Sequence, residues 1–282
     1  MAVLLIAALA ALVAECLPVL EGAHGPERGE ALERLASLGP KGVGPLAAAL
    51  VRAGWRGREG LIDALTAIGE PSLPALMQVA RSHPRRDGRR LAIRAMGRIG
   101  GTAAGDSLMR LTGTADRDMV AEALGTMRSR DATGVLTRLL GDQRADVRRQ
   151  AAVALGKTGG PDQVEAIVGL LADRHHSVRF AAAAALEGLG ATSAETLVRR
   201  MGDLPGEGRF LAVRTLGALG HRPAVDALAA VLARDRWWIR AAAAEALGAL
   251  GETALLRDAL NSESHAVVRG RIGSVLQEQG TP

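Results

Sequence analysis

Four stretches of the chain repeat one pattern: DVRRQAAVALGKTGG (146–160), SVRFAAAAALEGLGA (177–191), GRFLAVRTLGALGH (208–221) and WIRAAAAEALGALGE (238–252). When they are aligned, their arginines form one column with spacings of 30 or 31 residues. Extending the register in both directions gives nine copies, with spacings between 28 and 31 residues. A fixed period of this length is typical of repeat architectures. The column consists of Arg28, Arg58, Arg89, Arg117, Arg148, Arg179, Arg209, Arg240 and Arg269.

Each copy predicts two short helices. Small or apolar residues mostly stand three, six, seven and ten positions after the arginine, which places them on one stripe of an α-helix. A glycine follows at position eleven in every copy except the fourth, where Arg128 stands instead, and glycine is the natural left-handed C-cap of a helix. Apolar residues twelve and eight positions before the arginine mark a preceding helix. The chain is therefore predicted to be an all-α solenoid (superhelix) of about nine two-helix repeats.

The composition agrees with this prediction. Only five residues are aromatic and none is tyrosine, which disfavours sheet-rich folds. A hydrophobic content of 48% with 23% charged residues is sufficient for a packed interior. Cys16 is the single cysteine, so one chain can form neither a disulfide framework nor a cysteine-based metal site. We expect one solenoid domain over residues 1–282, with an apolar helix at 1–20 and repeats over 21–282.

The period, the Asp that precedes Val-Arg (146–148), and the Ala-Leu-Gly-x-Leu-Gly ending (246–251) resemble the HEAT-like repeats first grouped with phycobilisome lyases. The resemblance covers residues 13–280. It implies a HEAT-like solenoid and says little about activity, because such arrays mostly act as binding surfaces. The iron-binding HEAT-like hydroxylases carry His-Glu pairs, and the absence of that dipeptide here excludes them.

The nine arginines form a predicted structural ladder. A cation at the start of a helix faces the positive end of the helix dipole, so its recurrence needs another reason. The preceding helix ends close by with unpaired carbonyl groups, and Asp142, Asp173 and Asp203 each stand six residues before a column arginine. We expect each arginine to cap that helix and to pair with an acid of its own or the adjacent repeat. A phosphate-binding ridge is the functional alternative.

Sequence motifs for catalysis and cofactors are weak, and we expect no enzyme. Gly105-Asp106-Ser107-Leu108 spells the signature of GDSL hydrolases, and Asp173 and His176 supply an Asp-x-x-His. In that family the serine follows a β-strand, whereas here the motif is predicted to open a helix with Asp106 or Ser107 as its N-cap. His175 and His176 are interpreted as a solvated turn. No metal, nucleotide or other cofactor site is predicted.

Two sets of side chains are candidates for binding a partner. Residues 81–98 carry seven arginines and one aspartate, a local charge of +6 in a chain whose net charge is +5. Tryptophan and arginine are favoured at binding hot spots, and the tryptophans are predicted to lie on turns along one rim. The candidates are Arg81, Arg85, Arg86, Arg90, Arg94, Arg98, Trp55, Trp237 and Trp238.

These candidates favour a non-catalytic scaffold that binds a protein partner on its concave helix face and one rim of turns, and the basic cluster would suit an acidic partner. A bilin-lyase-like or other enzyme-assisting role is the alternative that the resemblance implies. Nucleic acid is a third and less favoured partner, since the line of residues five positions after the column arginines has mixed charge.

The first twenty residues have two interpretations. Residues 2–14 are uninterrupted apolar sequence, of the length of a signal-peptide core. However, Val13, Cys16 and Leu20 occupy the positions at which other copies have their first-helix apolar residues. The segment is therefore either the first repeat helix or a signal or membrane anchor. A cytoplasmic location is slightly favoured because no Lys or Arg precedes Arg28.

Overall fold

A computed structural model describes residues 2–22 and 25–280, and these residues contain eighteen α-helices and no strand. In chain order the helices are α1 Ala2–Gly22, α2 Pro26–Ala36, α3 Val43–Ala49, α4 Trp55–Ile68, α5 Leu73–Ser82, α6 Arg86–Ile99, α7 Gly101–Met109, α8 Arg117–Thr126, α9 Thr133–Leu139, α10 Ala145–Thr158, α11 Pro161–Gly169, α12 His176–Leu189, α13 Ala191–Arg200, α14 Gly206–Ala218, α15 Val225–Arg234, α16 Trp237–Ala249, α17 Thr253–Ser262 and α18 Ala266–Glu278.

Consecutive helices pair into nine repeats, from α1 with α2 to α17 with α18. The predicted all-α solenoid of two-helix repeats is thus confirmed. We call the two members of a pair its first and second helix, and the arginine column lies near the start of every second helix. Short 3₁₀ turns precede or follow six of the first helices, at Gly39–Gly42, Glu70–Ser72, Arg130–Ala132, Leu170–Ala172, Met201–Asp203 and Arg222–Ala224. The chain divides into two compact units, residues 1–135 and 136–282.

One column of leucine and methionine recurs in the core of both units, beside many other buried aliphatic side chains and alanines. The side chain seven positions after each column arginine is buried, and each such leucine stabilises the fold by roughly 1.5–3 kcal/mol. The buried set is Leu35, Leu65, Met96, Leu124, Leu155, Leu186, Leu216, Leu247 and Leu276.

Small residues bring neighbouring second helices into close contact. A Cβ placed on Gly156 in α10 would lie 2.7 Å from the Cα of Ala185 in α12, and one on Gly217 in α14 would lie 2.8 Å from the Cα of Ala246 in α16. These distances are shorter than any normal carbon–carbon contact, so only glycine fits at either crossing. The second helices consequently form a tightly packed layer within unit 2.

The glycine column ends the second helices as predicted, with one difference in geometry. Most of its glycines have a positive φ, for example 81° at Gly69 and 80° at Gly251. Arg128, the exception in the sequence, still adopts this conformation with φ 52°, and it is the only non-glycine among the described residues to do so. Gly159 is the opposite case: its φ is −73°, and here the prediction of a left-handed cap is wrong. A Cβ on Gly159 would lie 2.6 Å from the carbonyl oxygen of Leu155, so close approach, and not φ, favours glycine there.

The C-terminal half of α1 packs as the first helix of the first repeat. Val13, Cys16 and Leu20 are buried, and the backbone N–H of Gly54 donates a 2.7 Å hydrogen bond to Glu21 Oε1. The N-terminal half of α1 exposes large apolar side chains, among them Leu4 with 77% of its surface accessible. By length and composition alone, Leu4–Gly22 could cross a membrane, and no other described segment meets that criterion. A role as signal or anchor stays a prediction.

Candidate functional site

The arginine column lies where each second helix begins, beside the end of the first helix of the same repeat. Arg148 Nη1 donates to the carbonyl oxygens of Asp142 and Gln143 at 2.8 and 3.0 Å, and Arg179 Nη1 donates to that of Asp173 at 2.7 Å. Similar bonds to carbonyl groups near the end of the first helix occur throughout the column. They run from Arg28 to Leu20, Arg58 to Ala53, Arg89 to His83, Arg117 to Thr114, Arg209 to Met201, Gly202 and Leu204, Arg240 to Asp235, and Arg269 to Glu263.

Among residues 2–22 and 25–280, at least six column arginines also pair with a carboxylate, and in each of these six pairs the acid belongs to the next repeat. The guanidinium group therefore joins the end of one helix to the turn of the following repeat. The pairs are Arg58 with Asp87 at 2.5 Å, Arg89 with Asp116 at 2.7 Å, Arg148 with Asp173 at 2.7 Å, Arg179 with Glu207, Arg209 with Asp235 at 2.9 Å, and Arg240 with Glu263 at 2.9 Å.

The pair between Arg148 and Asp173 is bidentate and almost fully buried. Arg148 Nε and Nη2 donate to the two carboxylate oxygens of Asp173 at 2.7 and 2.9 Å, and both side chains are less than a tenth exposed. Burial raises the pKa of Asp173, but the hydrogen bonds from Arg148 and from the His175 backbone outweigh it, so the net pKa lies below its ordinary value. Conversely, the hydrogen bond to Asp173 raises the pKa of Arg148. Both groups are thus held in their charged forms.

Asp203 makes a different contact from the one that its position suggests. Its carboxylate lies 3.3 Å from Arg200, three residues earlier. Arg209, which stands six residues after Asp203, forms its salt bridge with Asp235. The acids that pair with the column arginines stand one, two, five or six positions before the column arginine of their own repeat. They therefore do not form a column in the sequence. A spacing of six residues identifies Asp173 but not most of the other acids of these six pairs.

Acids from the neighbouring helices neutralise much of the predicted basic face at residues 81–98. Asp116 accepts from Arg86 and Arg89, Asp118 accepts from Arg90 at 2.9 Å, and Asp63 accepts from Arg98 at 2.5 Å. Burial raises the pKa of Asp116, but its two arginine partners outweigh this and lower it overall. Of the six candidate binding arginines, those without a salt bridge among the described residues are Arg81, Arg85 and Arg94. Binding by this set stays a prediction.

The three tryptophans lie just inside helices and not on the turns before them. Trp55 is the first residue of α4, and Trp237 and Trp238 are the first two residues of α16. Trp55 lies in unit 1 and is 63% exposed. The two tryptophans of unit 2 belong to a larger group of aromatic side chains.

We call this group the aromatic face, defined by Phe180, Phe210, Arg214, Trp237 and Trp238. The rings of Phe210 and Trp238 are 5.5 Å apart, and the guanidinium carbon of Arg214 lies 5.7 Å from the centroid of Phe210. Trp237 stacks on the imidazole of His265, at the start of α18, with a 5.2 Å separation and a 6° angle between the ring planes. Phe180 follows its column arginine directly, as Phe210 does, and is 54% exposed.

The aromatic face continues into a shallow cleft between α14 and α16. The cleft has a volume of about 180 Å³, a floor of alanine and glycine, and one charged side chain on each helix, Arg214 and Glu245. Glu245 is engaged by Arg271 at 3.0 Å, whereas Arg214 has no carboxylate partner among the described residues. A ring, a cation and a flat apolar strip thus lie together on one tightly packed layer of helices. The sequence pattern pointed to the tryptophans but not to Phe180, Phe210 or Arg214. These three stand one or five positions after their column arginines, which places them on this same face of the second helices.

The hydrolase motif has no hydrolase geometry. The prediction that Asp106 or Ser107 caps a helix is wrong, because α7 begins at Gly101 and both residues lie in its second half. Ser107 Oγ donates to the carbonyl oxygen of Ala103 at 2.8 Å, within the same helix. A nucleophilic serine of this type needs a sharp strand-to-helix turn, which a residue inside a helix lacks. Among residues 2–22 and 25–280, no cluster of three or more His, Cys, Asp or Glu side chains is arranged to hold a metal ion.

Residues 43–124, 114–187 and 194–277 match the sequence family described as HEAT repeats. The chain belongs to the HEAT-repeat family. The resemblance inferred from the arginine column and the glycine endings is thereby confirmed over most of the chain. No curated protein sequence matched.

Two solved structures, with TM-scores of 0.55, support the same fold. The karyopherin Kap121p, bound to the extreme C-terminus of the protein phosphatase Cdc14p, aligns with a TM-score of 0.55 at 13% identity, covering 96% of this HEAT-repeat chain and 36% of the karyopherin. Importin beta aligns with a TM-score of 0.55 at 15% identity, covering 94% and 46% of the two chains. The complex of CpcE and CpcF of phycocyanin lyase from Nostoc sp. PCC7120 gives a TM-score of 0.39 at 21% identity, covering 78% and 88%.

Proposed function

We propose that this HEAT-repeat chain is a non-catalytic scaffold that binds a protein partner through its aromatic face. The observation that carries the proposal is the distribution of aromatic residues. The chain has only five, and four of them lie at the starts of three consecutive second helices, α12, α14 and α16. A protein that otherwise packs with alanine, leucine and glycine has no evident structural need for rings at these positions, two of which, Phe180 and Trp237, are exposed.

The chemistry of the aromatic face suits a protein surface. Large rings and arginine supply most of the binding energy at protein interfaces, and they do so best on rigid supports. Phe180 and Trp237 are each about half exposed, so burying them against a partner would remove apolar surface from water. Arg214 adds a cation held over a ring and free for a carboxylate of the partner.

Affinity capture with matched variants tests this proposal. The purified chain, the double variant Phe180→Ala/Trp237→Ala, and the control Val51→Ala would be immobilised and exposed to a lysate of the source cells. Val51 is 56% exposed but lies in unit 1. Retained proteins would be quantified by mass spectrometry, and each would then be purified and tested for direct binding.

We expect a partner that binds the wild type and Val51→Ala equally. The double variant should lose about 2 kcal/mol or more of binding free energy, which is roughly a thirtyfold loss of affinity. Equal direct binding by all three chains would refute the role of the aromatic face. Conversion of a substrate by the purified chain alone would refute the non-catalytic part of the proposal.

A further inference from the structure

A second surface of unit 2 lies between the first helices α13 and α15. The groove there has a volume of about 530 Å³, and its walls include Val198, Met201 and Val231. Met201 and Val231 are mostly buried, so they form an apolar floor. The charged part of the lining consists of four arginines and one aspartate: Arg199, Arg209, Arg234, Arg236 and Asp235.

Two of the four arginines are available to a ligand. Arg209 is engaged by Asp235 at 2.9 Å and by three carbonyl groups. Arg199 contacts Glu165 only at 3.4 Å, and both side chains are more than half exposed, so that pair is weak. Arg234 and Arg236 are exposed, and neither has a carboxylate partner among the described residues. The groove therefore carries uncompensated positive charge above an apolar floor.

The neighbouring groove has the opposite charge. Between α15 and α17 lies a space of about 470 Å³ whose charged lining consists of Asp258, Glu263 and Arg240. Arg240 is bound to Glu263, which leaves Asp258 as the uncompensated group. The two adjacent grooves are thus similar in volume but carry uncompensated charge of opposite sign. A negatively charged ligand would bind better in the groove between α13 and α15 than in the groove between α15 and α17.

The cationic groove meets the aromatic face at the start of α14. A Cβ placed on Gly206 would lie 3.2 Å from Trp238 Cζ2 and 3.5 Å from Arg236 Nη1. Arg236 lines the groove, and Trp238 belongs to the aromatic face. One extended ligand could therefore contact both surfaces without leaving the protein.

We propose that the groove between α13 and α15 binds an acidic peptide segment that inserts an apolar side chain between carboxylates. The proposal rests on the proposed function, for which it specifies the chemistry of the partner. Carboxylates of the segment would face Arg234 and Arg236, and its apolar side chain would cover Val198 and Val231. A peptide is favoured over nucleic acid because the floor of the groove is aliphatic and no aromatic ring lines it for a base to stack on.

Fluorescence anisotropy with a labelled synthetic peptide tests the groove directly. The probe carries glutamates on both sides of a leucine, and a second peptide has alanine in place of the leucine. The protein variants are Arg234→Glu/Arg236→Glu and the control Arg257→Glu, an exposed arginine of α17 that has no salt bridge among the described residues. Titrations would be run at low and at physiological salt, with a duplex DNA of equal charge as competitor.

We expect the double variant to bind the leucine peptide about tenfold more weakly than the wild type, with a smaller salt dependence, and Arg257→Glu to bind like the wild type. The alanine peptide should bind more weakly than the leucine peptide. Absence of peptide binding, an equal loss in Arg257→Glu, or preferential binding of the DNA would each overturn the proposal. None of these results depends on Phe180 or Trp237, so the groove can fail while the aromatic face stands.

Discussion

The buried pair between Arg148 and Asp173 allows a quantitative test of the arginine ladder. Replacing Asp173 by Asn keeps the shape of the side chain and keeps an oxygen that can accept the 2.8 Å bond from the His175 backbone. What is lost is the negative charge opposite Arg148, whose side chain is only 8% exposed. An uncompensated buried charge costs about 3–5 kcal/mol, so we expect Asp173→Asn to lower the free energy of unfolding by about 3 kcal/mol.

A double-mutant cycle separates the pair from its surroundings. Arg148→Met removes the cation but also the caps on the carbonyl groups of Asp142 and Gln143, so it should cost at least as much as Asp173→Asn. The double variant has no buried charge. Its loss of unfolding free energy should therefore be smaller, by about 2 kcal/mol, than the sum of the losses in the two single variants. In a Trp55→Phe background, the fluorescence of Trp237 and Trp238 reports urea unfolding of unit 2 alone.

The control is an exposed pair in the same unit, Glu245 with Arg271. Both side chains are nearly half exposed, and such pairs contribute at most about 1 kcal/mol. The matching changes are Glu245→Gln and Arg271→Met. If the coupling at Arg148 and Asp173 is no larger than at this control, the ladder does not stabilise the stacking of repeats, and a ligand-binding role for the arginine column becomes the better explanation.

Three further predictions concern packing, burial and pH. Gly156→Ala should lower the urea midpoint of unit 2, because its Cβ would meet the backbone of α12, whereas Gly169→Ala, whose Cβ meets nothing within 4 Å, should be neutral or stabilise by up to about 1 kcal/mol. Cys16 is 2% exposed and burial raises its pKa, so a maleimide should modify it only after denaturation; rapid labelling of the native chain would show that α1 is not packed on the array. The depressed pKa values of Asp116 and Asp173 add stability that is present above about pH 4 and is lost as the pH falls through the folded-state values. Asp173→Asn should therefore show a flatter dependence of melting temperature on pH below about pH 4, and parallel curves for the variant and the wild type would contradict this.

The sequence predicts the fold well because the decisive residues recur at one position in every copy. The leucine of each second helix is buried and the arginine lies at the start of that helix, as the spacing requires. The glycine column shows both the strength and the limit of such reasoning. Arg128 has the positive φ of this position without being a glycine, and glycine at position 159 is favoured by a close approach to Leu155 and not by φ.

The candidate site was less predictable because its contacts join residues that share no column. Asp116 and Asp118 lie about 30 residues from the arginines that they neutralise, so a count of charges over residues 81–98 overstates the basic face. The ladder acids occupy four different positions before the next arginine. Phe210 and Arg214 could have been recognised from their positions four residues apart on a helix face, a signal that the scarcity of aromatic residues makes specific.

The two proposed surfaces of unit 2 arise from one difference in packing. Glycines such as Gly217 draw the second helices together, so that layer is closed and presents its side chains on a rigid support. The first helices leave open grooves of several hundred Å³ between them. If the proposals hold, a preorganised aromatic face would bind at a small ordering cost and the adjacent charged groove would favour acidic over basic partners, so affinity and specificity would come from separate residues. Widening the layer by Gly217→Ala should therefore weaken direct binding of a partner held by the aromatic face, whereas the control Gly169→Ala, whose Cβ meets nothing within 4 Å, should leave that binding unchanged.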